Sequence, residues 1–68
     1  MSEILNKKLI ENIGREATIF LENGFRFFGI IKQCDESYLE IFDYKSDSNK
    51  IIKIDSISEV EIKEVEND

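Results

Sequence analysis

Apolar residues recur along this chain with two periods, and the switch between them divides it. Ile4, Leu5, Leu9, Ile10 and Ile13 follow the i, i+4 and i+5 spacing of one broad helical face. Ser2 stands where an N-cap hydroxyl belongs and Gly14 where a helix stops, so the spacing predicts a helix over about residues 3–13. From Arg15 the period is two. Ala17, Ile19 and Leu21 alternate with Thr18, Phe20 and Glu22, the pattern of a half-buried strand. A second alternation, from Phe25 to about Cys34, sets Phe25, Phe27, Gly29 and Ile31 against Phe28, Ile30 and Lys32. Between the two runs lies Asn23-Gly24, which predicts a two-residue hairpin, because both residues tolerate the positive φ that matches strand twist.

Asp35-Glu36-Ser37 reads as a turn, after which Tyr38, Glu40, Phe42 and Tyr44 alternate with Leu39, Ile41 and Asp43 in a third strand. The polar tetrad Ser46 to Asn49 turns the chain again. A fourth strand is expected from Ile51 to Asp55, then a tight turn at Ser56-Ile57-Ser58. Val60, Ile62 and Val65 form a short fifth strand running into an acidic tail at residues 64–68. Gly29 removes a side chain in mid-strand, where a small barrel bends or another backbone approaches. One helix and five short strands at these spacings predict a mostly β single domain over residues 1–68, with a small, strongly bent five-stranded antiparallel barrel over about 15–63.

Size and composition narrow the chemistry. A chain of 68 residues buries only about 60% of its unfolded surface, and barrels this small gain stability by oligomerising. There is no histidine, and the one cysteine, Cys34, sits beside Asp35, whose charge raises a thiol's pKa and opposes a nucleophilic role. No disulfide, metal site, cofactor or enzyme activity is expected. No apolar run approaches the ~20 residues of a membrane span and no signal-peptide core is present, so a soluble protein of the reducing cytoplasm is expected. The net charge is −6; residues 59–68 hold five acids against Lys63, leaving −2 for the rest. Such a chain repels phosphate at long range and forgoes much of the counterion release that drives nucleic-acid binding.

The hairpin carries a more specific pattern. Leu21, Asn23, Gly24, Phe27, Gly29, Ile31 and Asp35 resemble the first motif of the Sm-like family, closest to its bacterial Hfq-like RNA chaperones, with seven positions matched in fifteen. The resemblance implies an Sm-like barrel that closes into a ring of six or seven copies, the fourth strand of one subunit pairing with the fifth of the next. It also implies that single-stranded, A-rich RNA binds the hairpin face, through an aromatic before the Asn and apolar residues after the Gly. The positions matched are Phe20, Asn23, Phe25 and Phe27, with Arg26 as the usual basic residue between. Phe28 joins this candidate RNA-binding set, but occupies the place of an adenine-reading glutamine.

The family's opposite face is poorly matched. Its uridine-stacking aromatic corresponds to Ser37, its pocket glutamines to Glu3 and Glu36, and its Lys-His pair to Ile54-Asp55; Tyr38 is one residue out of register, which turns it to the other face. The basic rim corresponds to Glu11, Asn12 and Gly14, and the second motif survives only as Ile54 to Val60, without its Arg-Gly pair. Two functions follow: a ring-forming RNA binder working through the hairpin face, or an Sm-like scaffold that has lost RNA and binds a protein partner through its aromatic face or edge strands.

Overall fold

The structure, a computed structural model, describes residues 3–63; the expected cap Ser2, the expected strand residue Val65 and the acidic tail lie outside them. Helix α1 (Glu3–Glu11) is followed by β1 (Glu16–Leu21), β2 (Arg26–Cys34), β3 (Tyr38–Asp43), β4 (Ser48–Lys53), a 3-10 turn (Ile54–Ser56) and β5 (Ile57–Ile62). The strands form one antiparallel sheet in the order β4-β3-β2-β1-β5. β4 and β5 therefore each keep one edge unpaired among the described residues. No helix among these residues is long and apolar enough to cross a membrane.

The core lies inside the curl of the sheet. Ala17, Ile19, Ile31, Leu39, Ile41, Ile52, Ile54 and Ile57 pack there with Leu9 of α1. The helix buries a narrower stripe than its sequence suggests: Leu9 is buried and Leu5 packs against the core, while Ile4 is 75% exposed. It also ends early. Asn12 and Ile13 donate to the carbonyls three residues back, Gly14 takes φ +93, and its N–H then donates to Ile31 O at 2.7 Å, which turns the chain into the sheet. Asn6 Nδ2 donates to Asp35 O at 2.7 Å and ties the helix to the β2–β3 turn.

Curvature has two identifiable sources. At Gly29 a Cβ would lie 1.7 Å from Phe42 O, so the β2 and β3 backbones approach more closely there than any side chain allows. Beyond Ile31 a bulge places Lys32 and Gln33 both outside and returns Cys34 inward opposite Leu39.

The last two strands begin earlier than their sequence suggests. Asp43 accepts from Ser46 N–H (3.1 Å) and Ser46 Oγ–H (2.7 Å), so the turn closes over residues 44–47, with Asp47 at φ +56. Ser48 and Asn49, expected in the turn, are thereby strand residues, and Lys50 joins them in β4. At the other end Ser56 Oγ donates to Lys53 O at 2.7 Å within a helical turn, and Ile57, expected in a turn, is a buried residue opening β5.

Candidate functional site

The hairpin between β1 and β2 is built differently from the expected two-residue turn. Gly24 N–H donates to Leu21 O at 3.1 Å, and Leu21 N–H donates to Phe25 O at 2.8 Å. These bonds enclose the three-residue loop Glu22-Asn23-Gly24, in which Gly24 alone takes positive φ, at +94°. This is a β-turn followed by a left-handed glycine. Asn23 is not left-handed; its Oδ1 accepts the Phe25 N–H at 3.0 Å, satisfying an amide that the bulged loop leaves unpaired. Asn23 therefore shapes the loop, and Phe25 is presented at its tip, 66% exposed.

The other candidate residues divide between the two faces of the sheet. Phe20 lies opposite Arg26, and Thr18 opposite Phe28, so Phe20, Arg26 and Phe28 share the outer face. Phe27 lies opposite Ile19 on the inner face and packs against the core. Phe28 is 42% exposed and meets Tyr44 edge to face, with ring centroids 5.3 Å apart. Tyr44 in turn packs edge to face on Phe42 at 6.1 Å and donates its hydroxyl to Glu16 Oε2 at 2.7 Å. That bond, with Lys63 at 3.4 Å from the other carboxylate oxygen, holds Glu16 below the ordinary carboxylate range and pushes the Tyr44 phenol up.

Where the inner and outer faces meet at this end of the barrel there is a cleft of about 590 Å³. Its lining comprises Arg26, Phe27 and Phe28 of β2, Asp43 of β3, Tyr44 and Lys45 of the β3–β4 turn and Lys50 of β4. Lys50 lies opposite the buried Ile41, which turns it toward the inner face and leaves it half-buried. Asp43 is only 6% exposed; its bonds from Ser46, together with the Lys50 charge, hold its carboxyl below the ordinary range despite burial. Tyr44, Lys45 and Lys50 were not among the residues expected from sequence. The alternation of Lys50, Ile52 and Ile54 would have placed Lys50 on the inner face, had the strand been started before Ile51.

The opposite end offers no comparable arrangement. Glu3, Glu36, Ser37 and Asp55 are exposed, Ile54 is buried, and the Asp35 carboxylate is occupied by the amides of Ser37 and Tyr38, both at 2.8 Å, which lower its pKa. The Cys34 thiol is pushed up, by burial first and by Asp35 second, and so is a poor nucleophile. Among the described residues no group of three or more His, Cys, Asp or Glu could hold a metal ion.

No protein-family model matches the sequence, and no curated protein is significantly similar to it. The fold does match a solved structure, the 1.55 Å crystal structure of the pleiotropic translational regulator Hfq. That match has a TM-score of 0.76 at 24% sequence identity and covers 87% of this chain and 98% of the other. An N-terminal helix on a bent five-stranded antiparallel sheet that superposes on Hfq over nearly its whole length is the Sm-like fold, and this chain has it.

Proposed function

We propose that the chain is a ring-forming, Hfq-like RNA-binding protein that holds single-stranded RNA on its hairpin face and carries out no catalysis. The observation that carries this reading is the cleft: three of nine basic residues, Arg26, Lys45 and Lys50, converge beside Phe27, Phe28 and Tyr44 in a chain of net charge −6. Cations that track a phosphate backbone beside rings on which bases stack are the two components of single-strand binding. Phe25 at the hairpin tip adds an exposed ring, and Phe20 flanks it. A-rich sequence is the class to which the resemblance points, and the cytoplasm is the compartment where such RNA is met.

The free edges of β4 and β5 support assembly, with β4 of one copy completing the sheet of the next at β5. Beside β5 lies a cleft of about 640 Å³ whose apolar lining includes Ile4, Leu5, Val60 and Ile62; Ile51 on β4 is 71% exposed and suits such a recess in a neighbouring copy. Six or seven copies close the ring and leave no edge unpaired.

Fluorescence anisotropy with labelled A-rich and U-rich single strands, at low and at physiological salt, tests the RNA reading. A-rich binding that persists at physiological salt and falls in Phe25→Ala without loss of the ring is the expected result. The acidic opposite end favours one other function, a scaffold for a protein partner. Absence of RNA binding at both salts, with a protein captured in a manner that depends on Phe25 or Phe28, would establish that function instead.

A further inference from the structure

We infer that the outer face of the sheet beside the hairpin is self-complementary, and that two copies of this chain pair through it about a two-fold axis. The strand registers carry this. On the outer face Phe20 lies opposite Arg26 of β2 on one side and opposite Glu59 of β5 on the other. Residues paired across neighbouring strands share a face, and strands lie about 5 Å apart, so Arg26, Phe20 and Glu59 form one row with its two charges about 10 Å apart. The next row runs Phe28, Thr18, Glu61. One half of the face is therefore basic and the other acidic, with β1 as the dividing line. Arg26, Glu59 and Glu61 are all exposed, and among the described residues none of the three has an ion-pair partner.

Apolar surface lies along that line. Phe25 is 66% exposed at the hairpin tip, and Phe20 is half-buried at the end of β1. A two-fold axis in the plane of contact and parallel to β1 brings each of these rings close to its own counterpart, as happens near the axis of an isologous contact. The same rotation lays the β2 half of one copy over the β5 half of the other, so that Arg26 of each copy meets Glu59 of the other. An axis running across the strands would set Arg26 against Arg26, so charge selects the first arrangement. The contact has an apolar centre and a charged rim, the anatomy of specific interfaces. A polyanion answers only the basic half and brings phosphate beside Glu59 and Glu61; a second copy answers both halves. Because the contact uses a sheet face, the β4 and β5 edges stay available for ring closure, and closed rings would stack in pairs. Where RNA is held on this face, as proposed above, a second copy and a strand compete for it.

The test is sedimentation velocity of the full chain over a range of protein concentration at physiological salt, where charges more than about 8 Å apart are screened and charges in contact still act. The mass should double from its dilute value as concentration rises. Arg26→Glu and Glu59→Arg should each raise the concentration needed at least about tenfold by setting like charges together, and the two reversals combined should restore the pairing. A constant mass at every concentration overturns the pairing. Doubling that survives both single reversals also overturns it, since the contact would lie elsewhere, as does a combined variant no better than the single ones, since Arg26 and Glu59 would then not meet. Excess oligoadenylate should separate the pair. A strand that binds and leaves the pair intact overturns the competition with RNA, whereas absence of strand binding overturns the RNA reading alone, the pairing being decided by the charge reversals.

Discussion

Single residues fix two features of this barrel that no neighbour can supply. Gly29 is the first. A methyl group there would overlap the Phe42 carbonyl, which is backbone and cannot rotate away, so β2 and β3 must separate at this point. Gly29→Ala should cost about 3 kcal/mol, the severe end of overpacking, read as a lower urea midpoint at fixed protein concentration. A loss below about 1 kcal/mol would mean that the sheet flexes at this point more readily than close packing allows. Asp43 is the second, since its carboxylate closes the β3–β4 turn. Because the Ser46 hydroxyl above all holds its pKa below the ordinary 3.8, the folded state favours the ionised form. That stabilisation is fully present above about pH 4 and is lost as pH falls through the lowered pKa. Urea midpoints recorded from neutral pH downward should fall more steeply for the unaltered protein than for Asp43→Asn. Asp35 and Glu16, also held low, account for what slope remains in the variant.

At the scale of elements, the hairpin shows what a sequence pattern can and cannot specify. Asn23-Gly24 between two alternating runs correctly announces a turn joining β1 to β2, and the inward set Ala17, Ile19, Gly29 and Ile31 follows from period two alone. The turn's length did not follow, because an Asn carboxamide that caps the Phe25 amide competes with the left-handed conformation a two-residue loop would demand of Asn23. The same kind of local bond hid β4. Asp43 pulls Ser46 into a tight turn and frees Ser48 to Lys50 for pairing, a side-chain effect that hydrophobic periodicity does not register. Of the candidate site, the hairpin half was legible, and the half contributed by Tyr44, Lys45 and Lys50 was not, since it depends on that turn and on a register with β3. Since Gly24 alone is left-handed, Gly24→Ala should destabilise by about 1–2 kcal/mol, the cost of that conformation with a Cβ. Gly24→Asn should cost less. Thermal unfolding of both variants at one protein concentration decides it; equal losses would show that the loop changes type instead of bearing the strain.

For the molecule as a whole, the open edges and the charge pull in opposite directions. A lone domain with two unpaired edge strands and an Ile51 71% exposed leaves backbone groups and apolar surface that pairing between copies would satisfy. Each added copy also brings a charge of −6, which self-repulsion makes unfavourable and salt relieves. Assembly should therefore strengthen with ionic strength, the reverse of RNA binding, which weakens as counterions compete for phosphate. Ile51→Lys places a charge where β4 would meet a neighbour and should yield monomers by light scattering after gel filtration, with the unaltered protein giving six or seven copies. The monomer should keep its far-ultraviolet circular dichroism, because Ile51 contributes nothing to the core. Its affinity for a long single strand should fall at least about a hundredfold, because a strand spanning several hairpin faces binds the later ones intramolecularly. Affinity for a strand too short to reach a second cleft should stay nearly constant. If the unaltered protein were itself monomeric at high salt and bound long strands no better than short ones, the hairpin face would act as an isolated site and the ring would be excluded.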